Sequence, residues 1–300
     1  MVYHCYNAKK LLRIVICDIA VIIAVTIITM LGKNSWLAVT VNPETDIPLP
    51  VIMYHSIIDG VAEEKYIVSP QTIENDLKYL KENGYTAVLS ADLVEYIEND
   101  KPLPEKPVMI TLDDGYYNNM EYLEPLLEKY DMKAVISVVG SFTDKFSRTA
   151  EHNPKYSHLT WEDLSELKKN RRIEIGNHTY DMHSLDSRKG CGKLASESAS
   201  QYQALLKEDI GGLQTALTEK TGITPVLFAY PYGEISRESI PVLKELGFKV
   251  TLNCYENPNY INKDPDCLFG LNRYNREGNI STEAFMKRAL TKNSKNSPHL

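Results

Sequence analysis

Residues 107–119 read PVMITLDDGYYNN: a short apolar run, two adjacent carboxylates, a glycine, then aromatic and amide side chains. The run Pro107–Leu112 is too short for a helix and too continuously apolar for a half-exposed strand, so it is predicted to be a buried strand of a parallel sheet. Asp113 and Asp114 then fall directly past its end, followed by Gly115. Paired carboxylates near a core are costly unless a positive group, usually a metal ion, holds them. An ordinary Asp-Gly turn has the same local appearance, and this stretch alone does not separate the two readings.

Working outward, the same grammar repeats. VIMY (51–54), TAVL (86–89), KAVISVV (133–139), RIEIG (172–176), VLFAY (226–230), FKVTL (248–252) and CLFGL (267–271) all read as short apolar strands. Between them lie helical stretches. Ser69-Pro70 opens one with Ile73, Leu77 and Leu80 as its apolar stripe and Gly84 as its stop. Ser90 is expected to cap a second, bearing Leu93, Val94 and Ile97, and Leu123, Leu126 and Leu127 mark a third. Thr160-Trp-Glu-Asp163 resembles a capping box. Further helices are expected near 200–220, 236–246 and 282–290. Alternating strands and helices predict an α/β fold, a distorted (β/α) barrel of about seven units, with its chemistry where strands end.

The strand ends are where unusual polar residues sit. His178 and His183 follow the strand 172–176, in a chain with seven histidines. Two imidazoles and the Asp114 carboxylate make a donor set suited to a divalent transition metal, with room left for water. His55 lies just past the first strand, and Pro231-Tyr232-Gly233 forms a turn after another. Each of these has a bland reading as a core histidine or a plain turn. The stretch Asp186–Gln203, rich in Ser, Gly and Lys, reads as a mobile loop beside the site.

Together these motifs resemble the polysaccharide deacetylase family, carbohydrate esterase family 4, or NodB-homology domain, over about residues 50–290. The resemblance implies that Asp113 is the catalytic base, that Asp114, His178 and His183 bind the metal, and that the Tyr232 backbone N–H stabilises the oxyanion. Three departures stand out: a His-x4-His spacing, Ala229 where the family carries an arginine, and no late Leu-x-x-His, since only His299 follows His183. These resemble the subgroup acting on poly-β-1,6-N-acetylglucosamine, in which an early Tyr-His supplies the acid, here His55 as imidazolium. Arg273, in LNRYNR after a late strand, is the candidate to steer Asp113 or contact substrate. Tyr116, Tyr117, Tyr180 and Tyr230 are candidates to stack on sugar rings, or else core. The implied cofactor is zinc, with cobalt, nickel or iron also accepting the ligand set. The implied partner is an N-acetylglucosamine polysaccharide. Peptidoglycan as substrate, and a catalytically inactive glycan-binding membrane protein, are the competing readings.

The N-terminus sets the compartment. Residues 1–13 are expected to be a short cytoplasmic segment ending in a basic cluster, Lys9, Lys10 and Arg13. Ile14–Leu31 follows with Asp18 its only charge, long enough as a helix for about 27 Å of bilayer. The flanking charges predict a single-pass anchor with its N-terminus inside and the catalytic domain, 49–290, outside the cytoplasm. No small-residue cleavage site follows the run, so an uncleaved anchor is expected. Residues 32–48 read as a stalk and 291–300 as a flexible tail. Without its basic leader the chain is more acidic than the −7 of the whole, which excludes nucleic acid as a natural partner. Of five cysteines, only Cys191, Cys254 and Cys267 lie past the anchor, too few for a disulfide framework.

Overall fold

The computed structural model describes residues 46–291. The anchor, most of the stalk and the tail past Thr291 lie outside the described residues, and among the described ones no helix is long and apolar enough to cross a membrane. Two residues assigned to the stalk belong to the domain: Ile47 and Pro48 pair antiparallel with Tyr260 and Ile261.

The main sheet has eight strands: β1 (Val51–Tyr54), β2 (Thr86–Ala87), β3 (Pro107–Leu112), β4 (Ala134–Val138), β5 (Ile173–Asn177), β6 (Leu227–Ala229), β7 (Val250–Leu252) and β8 (Tyr274–Asn275). Their order is β7-β6-β5-β4-β3-β1-β8, and β2 joins the start of β3. Every pairing is parallel. Leu252 and Leu271 form one further parallel bridge, from β7 to the segment that leads into β8. The result is a curled parallel α/β sheet, consistent with a (β/α) barrel, whose strand C-termini share one face.

All six residues of β3 are buried, because helices cover one side and the neighbouring strands curl over the other. The helices are α1 (Pro70–Glu82), α2 (Ser90–Glu98), α3 (Glu124–Tyr130), α4 (Gly140–Thr149), α5 (Trp161–Leu167), α6 (Ala199–Thr221), α7 (Ser239–Glu245) and α8 (Thr282–Thr291). Helix α1 starts as predicted, with the Ser69 side chain accepting from Thr72 N, and α5 has the Thr160–Asp163 capping box. Ile73, Leu77 and Leu80 are fully buried on the stripe expected of them.

Four expectations need correction. Ser90 is the first residue of α2 rather than its cap; the Asp92 carboxylate accepts from Leu89 N, and Ser90 Oγ bonds Glu174. Helix α4 was unread: it opens at a glycine, where an added Cβ would stand 2.5 Å from the Tyr180 ring. CLFGL is not a strand. Residues Pro265–Leu268 make a 3-10 turn, Gly270 takes a φ of +80°, and pairing resumes only at Leu271. The Asp186–Gln203 stretch is anchored: Arg188 pairs with Glu197, Cys191 is fully buried, and helix α6 already begins at Ala199.

Candidate active site

The end of β3 delivers the two carboxylates in opposite senses. Asp113 continues the strand, its N–H donating to Tyr54 O at 3.0 Å. Asp114 then takes a φ of +69° and Gly115 one of +64°. A left-handed aspartate stores strain, and such residues gather where geometry serves function. Glycine is required next, because an added Cβ would lie 2.7 Å from Val138 Cγ1 on β4. Two more of the six left-handed non-glycine residues among those described, Thr179 and Tyr232, flank the same site.

Asp113 faces Arg273, which is 1% exposed and reaches both carboxylate oxygens at 2.7 Å. The guanidinium is itself fixed by Nε donating to Asn253 O at 2.7 Å. Burial would raise the Asp113 carboxyl, but Arg273, with His178 and His55, outweighs it and holds the group below its ordinary range. Arg273 is thus placed to steer Asp113, one of the two roles expected of it, and it also lines the cavity.

Asp114 turns to the histidines. Its Oδ1 lies 3.6 Å from His178 Nε2 and 3.1 Å from His183 Nε2. The backbone carbonyl of Ala229 accepts from His178 Nδ1 at 2.7 Å, so the proton sits on Nδ1 and Nε2 is left as a lone-pair donor. Burial lowers the His178 imidazole, although Asp113 pulls the other way. For His183 burial also acts downward, but Asp114 and Asp113 more than reverse it. His55, after β1, has a buried Nδ1 without a hydrogen-bond partner, and its ring is 4.7 Å from that of Tyr66. Burial pushes its imidazole below the ordinary value, more than Asp113 and Asp114 restore.

These groups line one cavity of about 240 Å³, shared by His55, Asp113, Asp114, Tyr116, His178, His183, Tyr232 and Arg273. Tyr230 and Tyr180 stand outside it. Tyr230 is 1% exposed and packs in a second core with Phe228, its hydroxyl on Ser239, because alternate residues of a strand face opposite sides. Tyr180 donates its hydroxyl to Asp144 at 2.5 Å. Tyr117 likewise bonds Glu121 at the surface. Residues not anticipated from sequence also line the cavity: Met53, Tyr66 and Cys254. His158 stacks on Tyr116 at 4.5 Å with both ring nitrogens buried and unbonded, and burial lowers it to about 4. No spacing pattern pointed to any of these.

The family model described as polysaccharide deacetylase matches residues 100–251, just over half of the chain. The chain belongs to the polysaccharide deacetylase family. Among curated relatives of this family member, the poly-β-1,6-N-acetyl-D-glucosamine N-deacetylase of Escherichia coli strain K12 is 28% identical over 219 residues, 66% of this chain and 32% of the relative. The enzyme of the same name from Staphylococcus aureus strain MRSA252 is 27% identical over 186 residues, 62% of this chain and 60% of the relative. The chain therefore spans about a third of the first relative's length and less than two thirds of the second's. Among solved structures, a de-N-acetylase from Aggregatibacter actinomycetemcomitans superposes with a TM-score of 0.69 at 22% identity, covering 80% of this chain and 99% of that one. That likeness shows the fold.

The deacetylase site suits a divalent cation. The nearest donor atoms of Asp114, His178 and His183 all lie within 4.8 Å of one another. Asp114 Oδ1 is buried and has no hydrogen-bond donor, which is an orphaned acceptor that a cation would satisfy. Two imidazoles and a carboxylate suit zinc, and equally other first-row divalent ions.

Proposed function

We propose that this chain is a metal-dependent N-deacetylase of a β-1,6-linked N-acetylglucosamine polysaccharide, working outside the cytoplasm behind an N-terminal anchor. The observation that carries the reading is the division of labour at Asp113-Asp114. One carboxylate is gripped by Arg273 at 2.7 Å, and its neighbour faces the Nε2 atoms of two histidines at 3.6 and 3.1 Å. A structural ion pair needs no second carboxylate with an orphaned oxygen beside it.

Asp114, His178 and His183 would hold a divalent cation, which would supply Lewis acidity toward water and an amide oxygen. Asp113, kept ionised by Arg273, takes the proton of the attacking water, and its bidentate partner fixes the direction in which it accepts. As the water oxygen bonds to the acetyl carbon, the Tyr232 backbone N–H is the proposed donor to the growing oxyanion; its left-handed φ of 56° belongs to the turn that presents it. The C–N bond then breaks, His55 gives its proton to the departing amine, and the products are acetate and a glucosamine unit. Arg273 weighs against the reading as a catalytically inactive protein, because it supplies to Asp113 the guanidinium that Ala229 lacks. Its guanidinium reaches the base from β8's side of the sheet instead. The subgroup named by the relatives supports the β-1,6-linked polymer as substrate.

The test is acetate release from poly-β-1,6-N-acetylglucosamine by the full chain, with and without chelator. Release that chelator abolishes and zinc or cobalt restores is expected. Release from peptidoglycan alone would replace the substrate, and demonstrable metal binding with no release from either polymer would overturn the reading.

A further inference from the structure

Four residues, 179–182, separate His178 from His183, and the backbone between them is tied down almost atom by atom. Thr179 takes a φ of +74°, a costly conformation for a β-branched residue, and its N–H donates to Asn177 Oδ1 at 2.9 Å. Thr179 O and Tyr180 O accept from Gly140 N–H and Ser141 N–H, at the start of α4, at 3.1 and 2.7 Å. The last two ties go to one side chain. Tyr180 N–H donates to Asp209 Oδ1 at 2.8 Å, and Asp181 N–H donates to Asp209 Oδ2 at 2.9 Å.

Asp209 does not line the cavity. It sits in the middle of α6, where Leu206, Asp209, Ile210 and Leu213 follow one another at helical spacing along one face. Leu206 and Ile210 pack in one core cluster with Met182, the residue before His183, and Ile210 O accepts from Asn177 Nδ2 at 3.1 Å. Helix α6 therefore grips the loop at both ends and, through Asp209, in the middle. Of the backbone ties, only those to Asp209 reach Asp181, so the carboxylate sets the direction in which the chain runs on to His183. Backbone N–H groups donating to a carboxylate make bonds about twice as strong as neutral ones. A loop already held in place saves the ordering cost that would otherwise be subtracted from the affinity for an ion.

We propose that Asp209 is a positioning residue for the metal centre, holding the loop 179–182 so that His178 and His183 stand ready before a cation arrives. The proposal rests on the reading that these histidines hold a divalent ion. Zinc affinity of the full chain is measured by competition with a chromogenic chelator, for wild type, Asp209→Asn and Glu174→Gln. Asparagine keeps the size of the side chain but turns an NH2 toward one of the two N–H donors. Glu174 is the matched control, a carboxylate that accepts from Ala91 N–H at 3.2 Å and does not line the cavity. Asp209→Asn is expected to weaken zinc binding about ten- to a hundredfold. Glu174→Gln is expected to lower Tm and leave zinc affinity unchanged. Wild-type affinity in Asp209→Asn, or an equal loss in Glu174→Gln, overturns the proposal. Amide exchange in the metal-free wild type needs no variant to fold. Tyr180 and Asp181 N–H are expected to exchange about tenfold or more slowly than unbonded loop amides, and free exchange there overturns the proposal. Zinc binding does not depend on turnover, so zinc bound without acetate release removes the proposed function and leaves Asp209 to be decided by the affinities. A wild type that binds no zinc overturns the metal reading and this inference with it.

Discussion

Two arginines three residues apart, Arg273 and Arg276, each 1% exposed, pair with buried aspartates from distant parts of the chain. Arg273 holds Asp113, past β3; Arg276 holds Asp76, on α1, at 2.7 Å. The pairs look alike and behave differently. Asp76 is sealed at 0% exposure, and burial raises its carboxyl in spite of Arg276, Thr282 and the Tyr54 hydroxyl. Asp113 opens on a cavity beside three histidines, and there the positive partners win. The same two side-chain types thus make a tie between α1, β1 and α8 in one place and an ionised carboxylate at an open cavity in the other. What separates them is the company of the carboxylate rather than the ion pair.

The largest effect that would sharpen this contrast is on Asp113. Asp113→Asn is expected to cut acetate release about a thousandfold, because a carboxamide cannot take the water proton. A loss below tenfold, in a protein whose folding is verified by circular dichroism, would remove Asp113 from the role of base. Breaking the other pair is expected to act on the fold instead. Arg276→Met leaves an unpaired buried carboxylate and should cost about 3–5 kcal/mol in urea unfolding, with turnover per folded molecule retained. Adding Asp76→Leu to it should recover part of that loss. If Arg276→Met lowered kcat without lowering stability, the contrast would collapse.

A smaller effect is expected from Arg273→Lys, which keeps the charge but loses the two-pronged grip. A fall in kcat of about thirtyfold with KM little changed would mark orientation as the contribution of the guanidinium. The smallest is in the pH profile. An acid must hold its proton, and burial sets His55 below its ordinary 6.5, so kcat/KM should decline as pH rises through that lowered value. His55→Ala should abolish that alkaline limb along with most activity. A limb that survives the substitution would reassign the acid.

Much of this was legible in the sequence for physical reasons. PVMITL is apolar throughout because both its faces are covered, and Asp113, Asp114, His178 and His183 fall past strand ends, where a parallel sheet exposes its loops. Other features carry no such mark. CLFGL has the composition of a strand, but Asp264 accepts from Asp266 N at 3.0 Å and winds the chain into a turn before pairing can begin. Tyr230 lies one residue from the Pro-Tyr turn, yet strand alternation sends its ring to the core. Asn275 donates to Lys65 O and to Glu256 Oε1 across 210 and 19 residues, a relation that no local pattern encodes. The strain at Thr179 is equally silent, since a β-branched residue is a poor advertisement for a left-handed backbone.

The segment from Leu271 to Asn275 bridges toward β7 at one end and pairs with β1 at the other, and it carries Arg273 between them. During synthesis that stretch emerges long after Asp114, His178 and His183. A nascent chain that has just completed β7 already possesses Asp114, His178 and His183, yet its Asp113 has no arginine partner. The ion pair that fixes Asp113 is therefore completed only when the last strand joins the sheet, after every other residue lining the cavity has been made.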